Sequence, residues 1–221
     1  MELVTSAGSS DLTGKYCSPN LLHWSWDSWC LAHSTGTALV RAGGDKWFFV
    51  TPDYAFGHAM QDDTAKFVQA AGGNVVGSVA YPFPTTTDFS SFVIQAQSSG
   101  ANVVAFTSSG ADLANCIKQA HEFGLTQDGG VRLAAMIGYI TDVRALGLPV
   151  AQGLSMTETF YWDLNDRTRA FMDRIWPKLP PNVFPNMSQV GNYSGVLDYL
   201  KAVKQLGVAQ AKASGRAVIE P

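Results

Sequence analysis

Lys46-Trp47-Phe48-Phe49-Val50-Thr51-Pro52-Asp53-Tyr54-Ala55-Phe56-Gly57 is the stretch that decides the fold. Residues 46–51 form a short apolar run, long enough for a buried strand and too short for a helix. Pro52 stops it. Gly57 opens a segment, 57–71, in which Met60, Thr64, Phe67, Val68 and Ala71 recur at helical spacing. Strand, loop and helix make the opening of a βαβ unit. In sheets built from such units, ligands sit outside the carboxyl ends of the strands. Tyr54 and Phe56 therefore fall in a loop that such a fold uses for binding.

The same pattern continues on both sides. Asp27 or Ser28 caps a helix whose apolar face is Trp29, Ala32, Gly36, Leu39 and Val40, and Gly43-Gly44 ends it. Residues 74–80 read as a second strand and 81–84 as a loop. Thr87 or Asp88 caps a helix carrying Phe89, Phe92, Val93 and Ala96. A third strand, 103–107, is followed by the loop Ser108-Ser109-Gly110. A helix with Leu113, Cys116, Ile117, Ala120 and Phe123 runs on to Gly124. The fourth strand is 133–137, with Gly138-Tyr139 as its loop. A short helix capped by Asp142 reaches Leu146, and 153–159 is the fifth strand. Helix and strand alternate throughout 27–159, which calls for an α/β fold with a parallel sheet covered on both faces.

The last part differs. Leu164, Thr168, Phe171, Met172 and Ile175 make one helix, 165–176. After a proline-rich link from Pro177 to Pro185, Tyr193, Val196, Leu197, Leu200 and Val203 make another, 190–206. Neither is followed by a clear strand, although Val218-Ile219 is apolar enough to begin one. Two amphipathic helices need a surface to cover, and the sequence supplies little of it. The expectation is a piece of something larger, with these helices poorly packed.

Composition narrows the function. The 221 residues are 46% hydrophobic and 15% charged, which describes a globular chain. Net charge is −3 with no Lys/Arg run, which argues against nucleic acid or anionic membrane as partners. No apolar run approaches ~18 residues, so no direct membrane insertion is expected. No signal peptide stands at Met1, which leaves a removed leader or a start in mid-protein. The cysteines, Cys17, Cys30 and Cys116, form no Cys-x-x-Cys pair, which argues against zinc or iron–sulfur sites. Cys116 falls on the apolar face of a helix. Cys17 and Cys30 are able to bridge in an oxidising compartment, though their spacing alone does not show it. No metal or cofactor is called for.

Candidate chemistry gathers on one sheet edge. The loops after 46–51, 103–107 and 133–137 offer Tyr54, Phe56, Ser108, Ser109 and Tyr139. Two of them lead into helix starts at Gly57 and Gly110, where free N–H groups and the helix dipole favour an anion. Aromatic rings beside them suit an organic acid or amino acid. The small residues from Ser6 to Asp11 also suit close approach to an anion. Gly8 to Lys15 is not a phosphate-binding P-loop: the glycine spacing is one too long and Tyr16 replaces the magnesium-binding Ser/Thr. No nucleophile–base motif appears. His33 and His121 read as structural, His58 as a cap or ligand contact, and Asp53 and Asp142 as turn or cap residues.

These residues carry a family resemblance. Strand 46–51 with Asp53-Tyr54-Ala55-Phe56-Gly57, then Gly100-Ala101-Asn102-Val103-Val104, Ala120-His121-Glu122-Phe123-Gly124-Leu125 and Phe160-Tyr161-Trp162-Asp163, resembles in order the type I periplasmic solute-binding proteins. The nearest group is the leucine/isoleucine/valine-binding-protein-like receptors of ABC importers. The resemblance implies the periplasmic-binding-protein type I fold, with one complete Rossmann-like lobe and part of the second. Residues 29–155 would be the complete second lobe. Residues 1–22 and 163–221 would be a partial first lobe, and 22–28 and 156–162 hinge crossovers. Members carry further residues ahead of this start and beyond this end.

The resemblance also implies a non-enzymatic role: lobe closure traps a small carboxylate, which ABC permease subunits receive in the periplasm. By position, Ala7, Gly8 and Ser9 would hold the ligand's carboxylate. Phe56 matches a position where an aromatic packs on the ligand, and Ser109 falls near another. Tyr139 lies where amino-acid binders place an acid for the ammonium group. Since Tyr139 is not acidic, branched-chain or other amino acids and aromatic or other organic acids all remain open. The alternatives are a ligand-sensing regulatory domain on the same fold and an α/β enzyme acting on a small acid through His58 or Asp53.

Overall fold

The computed structural model describes residues 1–219. Residues 220 and 221, the end of the 163–221 segment assigned above to a first lobe, lie outside the described residues. The chain divides into two compact units: a central one, Ser28–Glu158, and a terminal one made of Met1–Asp27 and the chain from Thr159 on. In chain order the elements are β1 (Glu2–Val4), β2 (Leu21–His23), α1 (Ser28–Arg41), β3 (Lys46–Pro52), α2 (Ala55–Ala70), β4 (Asn74–Tyr81), α3 (Ser90–Ser98), β5 (Val103–Phe106), α4 (Gly110–Glu122), β6 (Arg132–Ala135), α5 (Ile140–Leu146), α6 (Leu148–Ala151) and β7 (Ser155–Met156). Four helices follow: α7 (Asp166–Ile175), α8 (Met187–Leu206), α9 (Val208–Ala213) and α10 (Gly215–Ile219).

The central unit is an all-parallel five-stranded sheet in the order β4-β3-β5-β6-β7. The chain leaves β3 on one side to form β4, then crosses back to form β5 on the other. The topological switch point therefore lies between β3 and β5. In β3 only Lys46 is exposed and the six residues after it are buried, as expected of a strand covered on both faces. Phe48 and Val50 join Val104, Phe106, Leu113, Cys116 and Ile117 in one core layer. Strand alternation sends Trp47 and Phe49 to the opposite face, and both are wholly buried. The Trp47 indole N–H donates to the Gly44 carbonyl at 2.8 Å, so this large ring is buried with its polar atom satisfied. On α4, Leu113, Cys116, Ile117 and Ala120 form the buried stripe that their spacing requires. Each large apolar side chain so buried contributes about 1.5–3 kcal/mol.

Several boundaries differ from the sequence reading. Pro52 is the last residue of β3 rather than its stop, because only its missing N–H limits pairing. The second helix starts at Ala55, two residues before Gly57, with Tyr54 extended at the cap position. Phe56 thus sits in the first turn of α2 and not in a loop. Gly57 is needed for another reason: a Cβ there would lie 2.3 Å from the Pro52 carbonyl oxygen. Asp142 is not the residue that precedes α5. It stands in the first turn and its carboxylate accepts the Tyr139 N–H at 2.9 Å. The strand read at 153–159 shrinks to Ser155–Met156, paired only with β6. Just beyond it, Thr157 leaves the ladder to bond the Thr35 hydroxyl at 2.7 Å.

In the terminal unit, β1 and β2 form a parallel pair with Leu3 opposite Leu22. Helix α8 is tied to the segment after β2 by Trp24 Nε1 to Ser194 Oγ at 2.9 Å and Trp26 Nε1 to Ser188 Oγ at 3.2 Å. Its buried stripe is Met187, Gly191 and Gly195. A Cβ on Gly191 would come within 2.7 Å of Ser25 side-chain atoms, so small residues set this approach. Tyr193, Val196, Leu197 and Leu200, the apolar face read above as short of a surface to cover, are exposed by 38–55%. Val218-Ile219 lies in α10 and is helical. Leu164 precedes α7, which Asn165 caps through bonds from the Arg167 and Thr168 N–H groups. Among the described residues there is no disulfide, so Cys17 and Cys30 are not bridged.

Candidate functional site

The carboxyl edge of the central sheet gathers five of the residues singled out above. Beyond β3, the Tyr54 ring stacks on Phe83 at 4.6 Å and lies 6.2 Å from the half-buried Phe56. Tyr54 and Phe83 are 37% and 46% exposed, so the stack presents aromatic surface. Burial, with a smaller contribution from the charge of Asp112, raises the Tyr54 hydroxyl above its usual range. Asp112 also accepts a hydrogen bond from the Tyr81 hydroxyl at 3.0 Å.

Three helices begin at this edge, and their starts differ. No side chain caps α2 or α4: neither Tyr54 nor Ser109 makes a cap hydrogen bond. Their first N–H groups are available to an anion. The start of α5 is closed by two carboxyl groups. Asp142 takes the Tyr139 N–H, and Glu158 takes the Ile140 N–H through Oε1 in a short hydrogen bond. Burial raises both acids. Glu158 is pushed up to about 7 by burial first, with the charge of Asp142 adding and the Ile140 N–H opposing. Asp142 is raised by burial against its bond from Tyr139.

Thr107 Oγ1, Ser108 Oγ and Glu158 Oε2 of the central unit are buried side-chain atoms without a hydrogen-bond partner. In the terminal unit His23 Nε2 is another. The Ser108 hydroxyl makes no well-formed hydrogen bond, yet it is near enough to the Tyr81 hydroxyl and the Cys116 thiol to favour their charged forms. Burial outweighs this at Cys116 and pushes its thiol well above the usual range. That cysteine is an inert core residue.

Ala7, Gly8 and Ser9 belong to the terminal unit. Ala7 is exposed, Gly8 buried and Ser9 half-buried. The Ser9 hydroxyl accepts the Asp11 N–H at 3.4 Å, starting a single turn at Ser10–Leu12. Among the described residues, the N–H groups of Ala7, Gly8 and Ser9 have no hydrogen-bond partner.

Other candidates resolve into structure. His33 stacks on Trp29 at 5.0 Å and meets Phe67 edge-on at 4.9 Å. His121 lies in the last turn of α4. His58 pairs with Asp53 at 2.8 Å on the exposed rim, and neither is bonded to a hydroxyl or thiol nucleophile. Among the described residues no group of three or more His, Cys, Asp or Glu is placed to hold a metal, and no helix is long and apolar enough to cross a membrane. Phe83, Asp112 and Glu158 were missed from sequence. Only Phe83, an aromatic between two loop prolines, carried a readable signal.

Known proteins give this geometry a context. The family model described as periplasmic binding protein matches residues 2–220. A periplasmic binding protein from Burkholderia mallei is 41% identical over 97% of this chain and 54% of its own, with a TM-score of 0.85. A branched-chain amino acid ABC transporter periplasmic ligand-binding protein from Burkholderia xenovorans is 36% identical over 98% of this chain and 55% of its own, at TM-score 0.81. An ABC transporter solute-binding protein from R. palustris, in complex with benzoate, is 25% identical over 98% and 58%, at TM-score 0.82. The chain spans just over half the length of each of these structures. No curated protein matches it.

Proposed function

This chain belongs to the periplasmic binding protein family, and we propose that it is the substrate-binding component of an ABC transporter. Its fold is the type I fold of that family, with Ser28–Glu158 as a five-stranded Rossmann-like lobe. In this reading it takes a small carboxylate in the periplasm and presents it to membrane permease subunits. The relatives bracket the ligand class. The Burkholderia xenovorans protein is described as part of a branched-chain amino acid transporter, and the R. palustris protein holds benzoate.

One observation carries the proposal. At the switch point of the central sheet, two uncapped helix starts stand beside the aromatic surface of Tyr54, Phe56 and Phe83. Free N–H groups with a helix dipole behind them favour a carboxylate, and the rings favour an apolar body. Ser108, Ser109 and Tyr139 complete that edge. Ala7, Gly8 and Ser9 in the terminal unit offer unpaired N–H groups of the same kind.

Phe56→Ala tests the assignment. Removing the ring should weaken carboxylate binding at least tenfold, about 1.4 kcal/mol. Because Phe56 is half-buried, the ligand-free melting temperature should fall by no more than about 4 °C. Equal affinity in wild type and variant would sink the placement of the site.

A further inference from the structure

We propose that α7 and α8 form a docking strip for an acidic amphipathic helix of a partner protein. Every residue of the strip belongs to the terminal unit, and the inference does not rest on the carboxylate reading above.

Tyr193, Val196, Leu197 and Leu200 follow the i, i+3, i+4, i+7 spacing of one helix face. They are 47%, 48%, 38% and 55% exposed. The buried stripe of α8, Met187, Gly191 and Gly195, lies on the other side of the helix, so the apolar row looks outward. Large apolar side chains gathered in one exposed row mark a contact surface, whereas single ones are ordinary. Phe171 of α7 extends the row. Its ring lies 5.1 Å from the Tyr193 ring and 5.8 Å, edge-on, from Phe160.

The rim is cationic. The Arg174 guanidinium stands over the Phe171 ring at 5.8 Å. Arg167, about two turns earlier, shares with Phe160, Phe171 and Arg174 a groove of about 490 Å³ that no acid lines. Lys201 and Lys204 stand one turn beyond Leu197 and Leu200. All four cations are exposed, and none is in an ion pair among the described residues. The nearby acids are placed elsewhere. Arg169 takes Asp163 and Asp166 at 2.9 and 2.6 Å. Asp173 and Asp198 each stand two residues from a strip residue, Phe171 and Leu200, and so about 160° round the helix from it. In a chain of net charge −3 the strip is a positive patch.

An apolar row with cations on its rim and no acid among them is complementary to a helix whose apolar stripe is flanked by Asp or Glu. The partner's apolar side chains would cover Tyr193, Val196 and Leu200, and its carboxylates would reach Arg167, Arg174, Lys201 and Lys204. From Tyr193 to Leu200 the row is ~10.5 Å long. Two turns are the length over which a docked helix presents its i, i+3 or i+4, and i+7 anchors. Aromatic and arginine side chains are also the residues that concentrate binding energy in protein interfaces.

The probe is a labelled peptide of about 18 residues, ~27 Å as a helix, with leucines at i, i+3, i+4 and i+7 and glutamates on both flanks. A second peptide carries lysines in place of the glutamates. Fluorescence anisotropy with the whole chain should show the glutamate peptide binding at least about tenfold tighter than the lysine peptide, a gap that shrinks at high salt. Leu200→Ser should weaken the glutamate peptide at least about fivefold by removing an apolar anchor. The quadruple variant R167E/R174E/K201E/K204E should reverse the order of the two peptides. Should that variant fail to fold, R174Q combined with K204Q decides, by a loss of at least about threefold for the glutamate peptide.

No binding of the glutamate peptide, equal binding of the two peptides, or variants that bind as wild type does would overturn the inference. Two other occupants would overturn it as well. One is a second copy of this chain, seen in sedimentation as a dimer that Leu200→Ser dissolves. The other is a lipid surface, seen as vesicles of phosphatidylglycerol that hold the chain more tightly than the peptide does.

Discussion

Gly57→Ala and Gly36→Ala should move the stability of the central unit in opposite directions. A Cβ on Gly57 would lie 2.3 Å from the Pro52 carbonyl oxygen and 2.8 Å from Pro52 Cγ. Those atoms cannot yield easily. Pro52 ends a strand paired with Tyr81 of β4, and the next N–H, of Asp53, donates to the Tyr81 carbonyl at 2.8 Å. The first turn of α2 must therefore lift by ~1 Å to reach ordinary contact. Overpacking of this kind costs about 1–3 kcal/mol, and the helical preference of Ala over Gly returns less than about 1 kcal/mol of it. The net loss should be about 1–2 kcal/mol. At about 2–4 °C per kcal/mol for a chain of this size, the melting temperature falls by roughly 2–8 °C.

Gly36 is the control. Its Cβ would meet Val68 Cγ2 at 3.6 Å and Phe67 Cβ at 3.7 Å, ordinary contacts between α1 and α2. Gly36→Ala should gain about 0.5–1 kcal/mol, because glycine in a helix interior gives up the most conformational freedom. Urea unfolding followed by circular dichroism reads both. Shifts of the same sign, or a neutral Gly57→Ala, would refute the close approach of α2 to the end of β3. That approach is also what holds Phe56 beside Tyr54, so Gly57→Ala should weaken ligand binding as well.

Two further outcomes follow from buried titratable groups. The Glu158 carboxyl is held at about 7 in the folded chain against an ordinary 4.5, so the folded state keeps its proton longer than the unfolded one. Stability should fall as pH rises from about 4.5 to about 7 and then level off. The full shift is worth about 3 kcal/mol, and the partial exposure of the side chain reduces this to about 1–2 kcal/mol. Urea melts of E158Q should lack that decline, and parallel pH profiles for the two proteins would contradict the burial argument. Iodoacetamide at pH 8 should label exposed Cys17 in the native protein and reach Cys116 only after denaturation. Equal labelling rates would show that the layer around α4 is not packed as described.

The βαβ alternation was legible because each element of the central unit carries its own signal. A strand such as β3 is apolar throughout, and a helix such as α4 repeats Leu113, Cys116, Ile117 and Ala120 at its own period. Helix starts were less legible. Tyr54 caps α2 by extended backbone geometry alone, and no residue type announces that. The terminal unit was legible in part. Apolar periodicity in α8 marked Tyr193, Val196 and Leu200 as a face short of a surface to cover, and they are exposed, but it did not show that Gly191 and Gly195 make the close contacts. Glycines leave no trace in a hydrophobic pattern. The place of Tyr54, Phe56 and Ser109 at the carboxyl edge of the sheet was readable because each follows a strand. The bond of Glu158 was not, because it joins the Ile140 N–H to a carboxylate 18 residues further along the chain.

The most direct measurement is a thermal-melt screen of this chain against α-amino acids, aromatic carboxylates and short-chain acids. A ligand at ~100 times its dissociation constant adds about 2.7 kcal/mol to stability. For this size of chain that is a rise of roughly 5–10 °C. The account expects such a rise for one carboxylate class, with uncharged amide analogues of the same compounds giving none. A sharp melt that no carboxylate shifts, or one that the amides shift equally, would contradict the assignment of this sheet edge as a carboxylate-binding site.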